Sequence, residues 1–180
     1  MTSHTVVRAP HTVPGVSPRL RLLARLTSLT VLPSCLWRLA IAVGIPMGWG
    51  PGSDLHHSNY LGTASLVLAF VCVLQETLGL LSLGMVQRWG EELPGWIPVL
   101  GGRPIHPLVA VVPATLGAIA LTGITVLGAL TWSETNAANP DAPTGLALRI
   151  FDLSYAPLLL WGPLLGILTV AYWRRRRMHG

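Results

Sequence analysis

The sequence predicts an all-α membrane protein, with four transmembrane helices in an antiparallel bundle and both termini in the cytoplasm. Two observations predict this fold. Four apolar stretches occupy most of the 180 residues, and each is long enough to cross about 30 Å of hydrocarbon as a helix. The arginines cluster beside these stretches on one side of the membrane, which the positive-inside rule identifies as the cytoplasmic side.

Composition favours a membrane protein over a nucleic-acid-binding one. Hydrophobic residues make up 51% of the chain and charged residues 11%, which is typical of spanning helices rather than of a soluble core. The net charge of +5 comes from arginine, because the chain contains no lysine. Arginines at membrane edges set topology and contact lipid headgroups, so we expect membrane lipids as partners and no nucleic acid.

The chain divides into a tail, one transmembrane domain and a short end. Residues 1–18 are polar and lack periodicity, which predicts a disordered cytoplasmic tail. Residues 19–177 form the single domain, and residues 178–180 form the second tail. The predicted spans lie at about 26–47, 61–86, 105–132 and 147–173. Pro33 predicts a kink within the first of them.

Charges and tryptophans between the spans predict the orientation. If the chain crosses four times, most arginines fall on one side: Arg8, Arg19, Arg21, Arg25, Arg88, Arg103 and Arg174–Arg177. The other side holds Arg149 together with Asp54, Glu134 and Asp141. Tryptophans near the predicted helix ends resemble the aromatic belts of membrane proteins: Trp49, Trp89, Trp96, Trp132 and Trp173. These patterns predict a multi-pass membrane protein with both termini in the cytoplasm.

Two opposite charges inside predicted spans are the first candidate site. A charge at that depth costs at least ~2.5–3.5 kcal/mol on insertion scales, so it normally faces a partner helix or a wet cavity. Arg38 lies close to the centre of the first predicted span, and Glu76 lies near the centre of the second. We therefore expect an intramembrane ion pair. It would either fix the helix register or serve ion-coupled transport, in which Glu76 changes protonation.

Small and polar residues at helical spacing predict close helix contacts. One stripe on the second span comprises Ser65, Ala69, Cys72, Glu76 and Gly79, and a similar line on the first span comprises Ser34, Arg38 and Ala42. Two further small-residue motifs are predicted to pack within the chain, namely Gly162/Gly166 and Ala114/Ala118/Thr122. Gln75 points to a different face, where we expect it to hydrogen-bond another helix or another subunit.

Cysteines and one outer acidic residue have simple explanations. Cys35 and Cys72 are expected to be buried thiols, and a disulfide requires that the first two helices bring them together at similar depth. The residues before Cys35 resemble a lipoprotein signal, but apolar residues continue the span after it, so we expect a retained helix. Asp152 is expected to pair locally with Arg149, three residues before it.

Residue sets that would indicate an enzyme are not evident in the sequence. His56 and His57 with Asp54 offer fewer well-placed ligands than zinc requires, so no metal site is expected. The sequence contains no nucleophile–base set, no phosphate-binding loop and no HExxH helix. We therefore expect no cofactor and do not expect an enzyme.

The link between the second and third spans is the most distinctive part of the chain. It reads Arg88-Trp89-Gly90…Pro94…Trp96-Ile97-Pro98…Gly101-Gly102-Arg103-Pro104-Ile105. This pattern resembles a cytoplasmic loop that joins two spanning helices in small integral membrane proteins of actinobacteria. The resemblance implies location and topology and supplies no activity. We expect Arg88, Trp89, Trp96 and Arg103 to form a rigid connector that contacts lipid headgroups, or alternatively to hold a cytosolic partner.

Two kinds of function follow from these expectations. The first is a non-enzymatic accessory, assembly or scaffold component, favoured by the absence of catalytic residue sets. The alternative is a small oligomeric transporter or channel that uses Arg38 and Glu76, since a helical bundle can hold a site in its core. Expected partners beyond lipids are another membrane protein or further copies of this chain.

Overall fold

The computed structural model describes residues 13, 16–56, 62–91 and 105–178. Six α-helices lie in these ranges: α1 (Pro18–Leu29), α2 (Leu32–Ala42), α3 (Thr63–Gly84), α4 (Pro107–Ala138), α5 (Gly145–Tyr155) and α6 (Leu158–Met178). A short 3₁₀ helix, Arg88–Gly90, follows α3. Since no β-strand occurs in these ranges, the all-α class is confirmed for the described residues.

Most of the predicted N-terminal tail, at residues 1–12, 14 and 15, lies outside the described residues, as does the end at 179–180. The last part of that tail contacts the helices. Val13 donates a backbone hydrogen bond to the carbonyl of Val86 (3.4 Å), and Val16 is buried. The chain just before α1 therefore packs against the end of α3.

The first predicted span is broken into two helices. α1 ends at Leu29 and α2 begins at Leu32. Pro33 has no N–H to donate, and its ring clashes with the carbonyl four residues earlier, which belongs to Leu29. The kink predicted at Pro33 is therefore confirmed, as a full break. α2 ends at Ala42, earlier than predicted, because the chain turns at Gly44 with a φ of 93°.

Three helical segments are long and apolar enough to cross a membrane: α3, α4, and the rod formed by α5 and α6. They correspond to the predicted spans 61–86, 105–132 and 147–173. The α5–α6 rod contains a break at Pro157 that the hydropathy pattern did not reveal. α1 and α2, with 12 and 11 residues, are each too short to count as a span by the same measure.

The helices pack as antiparallel neighbours. α1 and α2 lie along α3, α1 also contacts α6, α4 packs on α6, and α5 packs on α2. The α4–α6 contact is close because Gly162 has no side chain. A Cβ there would lie 2.9 Å from the carbonyl oxygen of Ala118 and still nearer to the hydroxyl of Thr122. The two small-residue motifs therefore pack against each other within one chain, as predicted.

Two apolar clusters fill opposite ends of the bundle. We call the end that contains the start of α1 and the ends of α3 and α6 the arginine-rich end, and the opposite end the loop end. Buried residues at the arginine-rich end are Val16, Ala24, Met85, Val86, Leu168 and Tyr172. The loop end buries Trp37, Ile41 and Phe151, with Trp49, Trp132 and Tyr155 packed against them. Contacts between these side chains hold together helices that are distant in sequence.

One acidic residue ties three helices together at the arginine-rich end. Arg175 donates to Glu91 Oε1 (2.6 Å) and to the carbonyl of Met85 (2.8 Å). Arg176 lies 3.8 Å from the other oxygen of the Glu91 carboxylate. The backbone N–H of Ile105, just before α4, donates to the carbonyl of Glu91 (2.8 Å). We call these contacts the Glu91 clamp.

Replacing each of the two glycines of α6 by alanine, in separate variants, tests the α4–α6 contact. We expect Gly162→Ala to lower the free energy of unfolding by about 1–3 kcal/mol, because its methyl group would overlap backbone atoms of α4. Gly166→Ala is the matched control, since a Cβ there meets Ala118 Cβ at an ordinary 3.9 Å. It should be neutral or stabilising by up to about 1 kcal/mol. Unfolding of the purified variants in detergent measures both, and equal effects would contradict the contact.

Removing the carboxylate tests the Glu91 clamp. Glu91→Ala removes the carboxylate that pairs with the buried Arg175 guanidinium, and breaking a buried ion pair in this way costs about 3–5 kcal/mol. Solvent screens the pair little, because the side chains of Glu91 and Arg175 are 15% and 10% exposed. Arg174→Ala removes an exposed arginine from the same run and should change stability by less than about 0.5 kcal/mol. If both variants unfold in detergent like the unmodified protein, the clamp contributes no stability.

Candidate functional site

The residues predicted to meet inside the membrane lie on facing sides of α2 and α3. Together with Cys35 and Gln75, which were not among those predicted to meet there, they form what we call the polar seam: Ser34, Cys35 and Arg38 on α2, with Cys72, Gln75 and Glu76 on α3. Helical geometry places residues three and four apart on one face. Ser34, Cys35, Cys72 and Gln75 are buried, while Arg38 and Glu76 are partly exposed.

A chain of hydrogen bonds runs along the polar seam. Arg38 Nη1 donates to Gln75 Oε1 (2.5 Å), and Gln75 Nε2 donates to Ser34 Oγ (2.9 Å). The Ser34 hydroxyl in turn donates to the carbonyl of Val31 (2.9 Å), at the break between α1 and α2. Gln75 therefore joins two residues of α2 that are one helical turn apart.

Arg38 bonds to Gln75 and not to Glu76, which differs from the predicted pair. Within the described part of the chain, ion pairs join Glu91 to Arg175 and Arg176, and Arg38 and Glu76 form none. Successive residues of a helix point about 100° apart, and α3 is rotated so that Gln75 faces Ser34 and Arg38. Gln75 thus hydrogen-bonds another helix, as expected. It does so on the face of α3 that contacts α2, and not on a different face.

Glu76 lies beside the two cysteines. Its Oε1 atom is buried and has no hydrogen-bond partner among the described residues, and Cys35 is close to both Glu76 and Cys72. The Cys72 thiol donates to the carbonyl of Cys35 (3.5 Å). α2 and α3 therefore do bring the cysteines to a similar depth, and both are buried free thiols.

The guanidinium of Arg38 also contacts the aromatic cluster at the loop end. It lies 5.1 Å from the ring centroid of Tyr155, and the ring of Tyr155 is 4.8 Å from that of Phe151. Phe151 stacks on Trp37 at 4.5 Å. Cation–π contacts of this kind are strongest where water is excluded. The polar seam is thereby connected to α5.

Arg38 and Asp152 line the same cavity, which has a volume of about 390 Å³ and lies between α4 and the α5–α6 rod. Asp152 accepts a hydrogen bond from Trp132 Nε1 (2.7 Å). No ion pair between Arg149 and Asp152 occurs in the described residues, so the expected local pair is not formed. Sequence reasoning missed this cavity because the residues that line it come from four different helices.

The position of Arg38 along its helical segment differs from the expected one. Arg38 was predicted near the centre of a span at 26–47, but α2 ends at Ala42 and α1 begins at Pro18. Along the helix axis, Arg38 is therefore about 6 Å from the end of α2 and about 12 Å from the middle of the rod formed by α1 and α2. It lies in the loop-end half of the bundle.

The predicted inner-loop residues are described only in part. Trp96 and Arg103 fall in 92–104, outside the described residues, whereas Arg88 is exposed. Trp89 packs against Gly84, where a Cβ would lie 2.7 Å from its ring. This contact holds the start of the connector against the end of α3. The Glu91 clamp then holds Glu91, which directly follows the 3₁₀ helix.

The loop after α2 is held by Asp141. The backbone N–H of Gly50 donates to the carbonyl of Asp141 (2.8 Å), and that of Gly52 donates to its carboxylate (3.1 Å). His56 bonds the carbonyl of Trp49 through Nδ1 (2.5 Å), while His57 lies outside the described residues. Within the described ranges, no three side chains form a metal-binding group.

Comparison with known proteins adds no relative. No family model, no curated protein and no solved structure matches the chain. The resemblance of the inner loop to actinobacterial membrane proteins stays a prediction.

Double-mutant cycles test which α3 residue is coupled to Arg38. We expect a coupling free energy of about 1–3 kcal/mol between Arg38→Met and Gln75→Leu, because they share a buried hydrogen bond. The coupling between Arg38→Met and Glu76→Leu should be smaller. Both are measured by equilibrium unfolding in detergent. A larger coupling with Glu76 would restore the ion pair first predicted from the sequence.

Proposed function

We propose that the protein is a non-enzymatic assembly or accessory component of the bacterial plasma membrane, and that it binds a transmembrane helix of a partner between α3 and α4. The observation that carries this proposal is an unfilled groove of about 520 Å³ at that place. We call it the α3–α4 groove. The proposal includes four membrane crossings, with both termini in the cytoplasm.

A first crossing by α1 and α2 together is supported by length and by a hydrogen bond at the break. At 1.5 Å per residue the rod from Pro18 to Ala42 is about 37 Å long. A break inside lipid is tolerated when side chains satisfy the freed backbone groups. Here the hydroxyl of Thr30 donates to the carbonyl of Thr27 (2.7 Å), just before the break.

The distribution of charge supports the orientation. α1 carries Arg19, Arg21 and Arg25 near its start, and α6 ends in Arg174–Arg177. Both elements lie at the arginine-rich end of the bundle. The loop end carries Arg149 with several acidic residues. A cytoplasmic arginine-rich end agrees with the positive-inside rule.

The chemistry of the α3–α4 groove fits a helix as its occupant. Its α4 wall is formed largely by small residues, which let another helix backbone approach closely: Ala110, Pro113, Ala114, Gly117 and Ala120. Its α3 wall presents the exposed side chains of Leu78 and Leu81. An apolar helix would fill such a groove by van der Waals packing.

A transporter or channel is the second candidate. The observation that favours it is the half-buried Arg38, which lines a cavity in the loop-end half of the bundle. In this candidate, Arg38 and the partly unpaired Glu76 would bind and release a charged substrate. Flux into proteoliposomes that Arg38→Gln abolishes, with the variant still folded, would favour transport over assembly.

Labelling of single cysteines tests the topology. In a Cys35→Ser/Cys72→Ser background, a membrane-impermeant maleimide applied to intact cells should label Ser133→Cys, in the exposed end of α4. The variants Ser3→Cys and His179→Cys should be labelled only after the membrane is permeabilised. If α1 and α2 lay on the surface instead of crossing, Ser3→Cys would be labelled in intact cells.

Photocrosslinking tests the partner helix. A photoreactive phenylalanine analogue at Leu81, in the α3–α4 groove, should form a protein adduct in native membranes, and mass spectrometry would identify it as another protein or a second copy. Leu80 is the matched control because it is similarly exposed, at 55% against 52%, but lies outside the groove. Gly117→Leu, which narrows the groove, should reduce the Leu81 adduct at least about tenfold, whereas Gly123→Leu should not. Adducts with lipid alone at Leu81 would contradict the proposal.

A further inference from the structure

Two unneutralised charges line the cavity between α4 and the α5–α6 rod. The partners of Arg38 in the described residues are neutral: the amide oxygen of Gln75 and the ring of Tyr155. The described partner of Asp152 is neutral too, the indole N–H of Trp132. The cavity thus presents one cation and one carboxylate that form no ion pair with a described residue.

Most of the remaining cavity wall is apolar, and part of it lies at the surface of the bundle. Ile124 on α4 and Leu159 on α6 line it and are 67% and 39% exposed. Leu158 continues the wall on α6. In a bilayer this side of the cavity would open to the hydrocarbon. A ligand that fits therefore combines an apolar chain with a headgroup that carries both charges.

In the membrane placement proposed above, the cavity would lie near the depth of lipid headgroups. Arg38 is four residues before the end of α2, or about 6 Å below it, and Trp132 is typical of the membrane interface. Apolar residues of α4 and α6 continue from the cavity toward the bilayer centre.

We propose that this cavity binds a phospholipid with a zwitterionic, ethanolamine-type headgroup. The phosphate accepts charge-assisted hydrogen bonds from Arg38. The ammonium contacts the Asp152 carboxylate and the face of Trp132. One acyl chain lies along Ile124 and Leu159. The proposal depends on the membrane placement given above and is independent of a partner helix in the α3–α4 groove.

Native mass spectrometry of the full chain tests this lipid site. The protein is released from mixed micelles that contain synthetic phosphatidylethanolamine and phosphatidylglycerol with the same acyl chains. The unmodified protein should retain one phosphatidylethanolamine about tenfold more than phosphatidylglycerol. Arg38→Gln should lower retention of both lipids about tenfold. Asp152→Asn should lower retention of phosphatidylethanolamine alone and so remove the preference.

A second variant guards against loss of folding in Arg38→Gln, because that change also breaks the hydrogen bond to Gln75. Gly128 lines the cavity and has nothing within 4 Å of a built Cβ, so Gly128→Leu should fill the cavity without disturbing the polar seam. Gly123→Leu is the matched control, because Gly123 is equally open but lies outside the cavity. Gly128→Leu should lower retention of phosphatidylethanolamine about tenfold, and Gly123→Leu should leave it unchanged.

Three outcomes would overturn the lipid site. Equal retention of the two lipids by the unmodified protein would remove the headgroup argument. Unchanged retention in a folded Gly128→Leu protein would place the lipid elsewhere. Retained preference in Asp152→Asn would exclude the carboxylate from recognition. None of these results bears on the Leu81 crosslink, so failure of the lipid site and failure of the assembly function are distinguishable.

Discussion

The hydrogen bonds of Gln75 set how α2 and α3 lie against each other. Helices in lipid gain little hydrophobic free energy from contact, because the lipid tails are as apolar as the side chains, so polar bonds and close packing decide their register. Gln75 donates to Ser34 and accepts from Arg38, which are one turn apart on α2. These two bonds fix both the rotation and the height of α3. Gly79 then meets Val31 at the α1–α2 break, where a larger residue would clash.

That register shapes the rest of the bundle. It holds Arg38 over Tyr155 and so joins the α2–α3 pair to α5. The Glu91 clamp fixes the opposite end, where it connects the chain after α3 to α6 and to the start of α4. α4 is held by its small-residue contact with α6, and its other side stays largely bare. Because α4 is held by α6 on one side only, its other side leaves space next to α3. This space is the α3–α4 groove, and it could accommodate another helix.

Sequence patterns predicted the positions of the helices more accurately than they predicted the contacts between them. Three long helical segments were located, with ends that differ by up to six residues, because a lipid-exposed helix must be apolar on nearly every side. Proline chemistry placed the break near Pro33, and small residues indicated that α4 and α6 pack within the chain, without showing that they contact each other. The sequence could not show that Gln75, rather than Glu76, bonds Arg38. The two side chains point about 100° apart around α3, and which of them faces α2 depends on how several neighbouring elements orient α3. The role of Glu91 was equally hidden, since its partner Arg175 is 84 residues away and no local periodicity links them.

Pairing Arg38 with an amide has a consequence for charge. An ion pair with Glu76 would neutralise the guanidinium and leave little attraction for any other group. The carbonyl of Gln75 orients the guanidinium by a hydrogen bond and leaves its positive charge intact. The indole of Trp132 holds Asp152 in the same way and leaves its negative charge intact. Hydrogen bonds to neutral groups thus position both side chains and leave their charges unneutralised. A pair that served only to fix helix register would have no need of this arrangement, whereas a site completed by a charged group from outside the chain requires it.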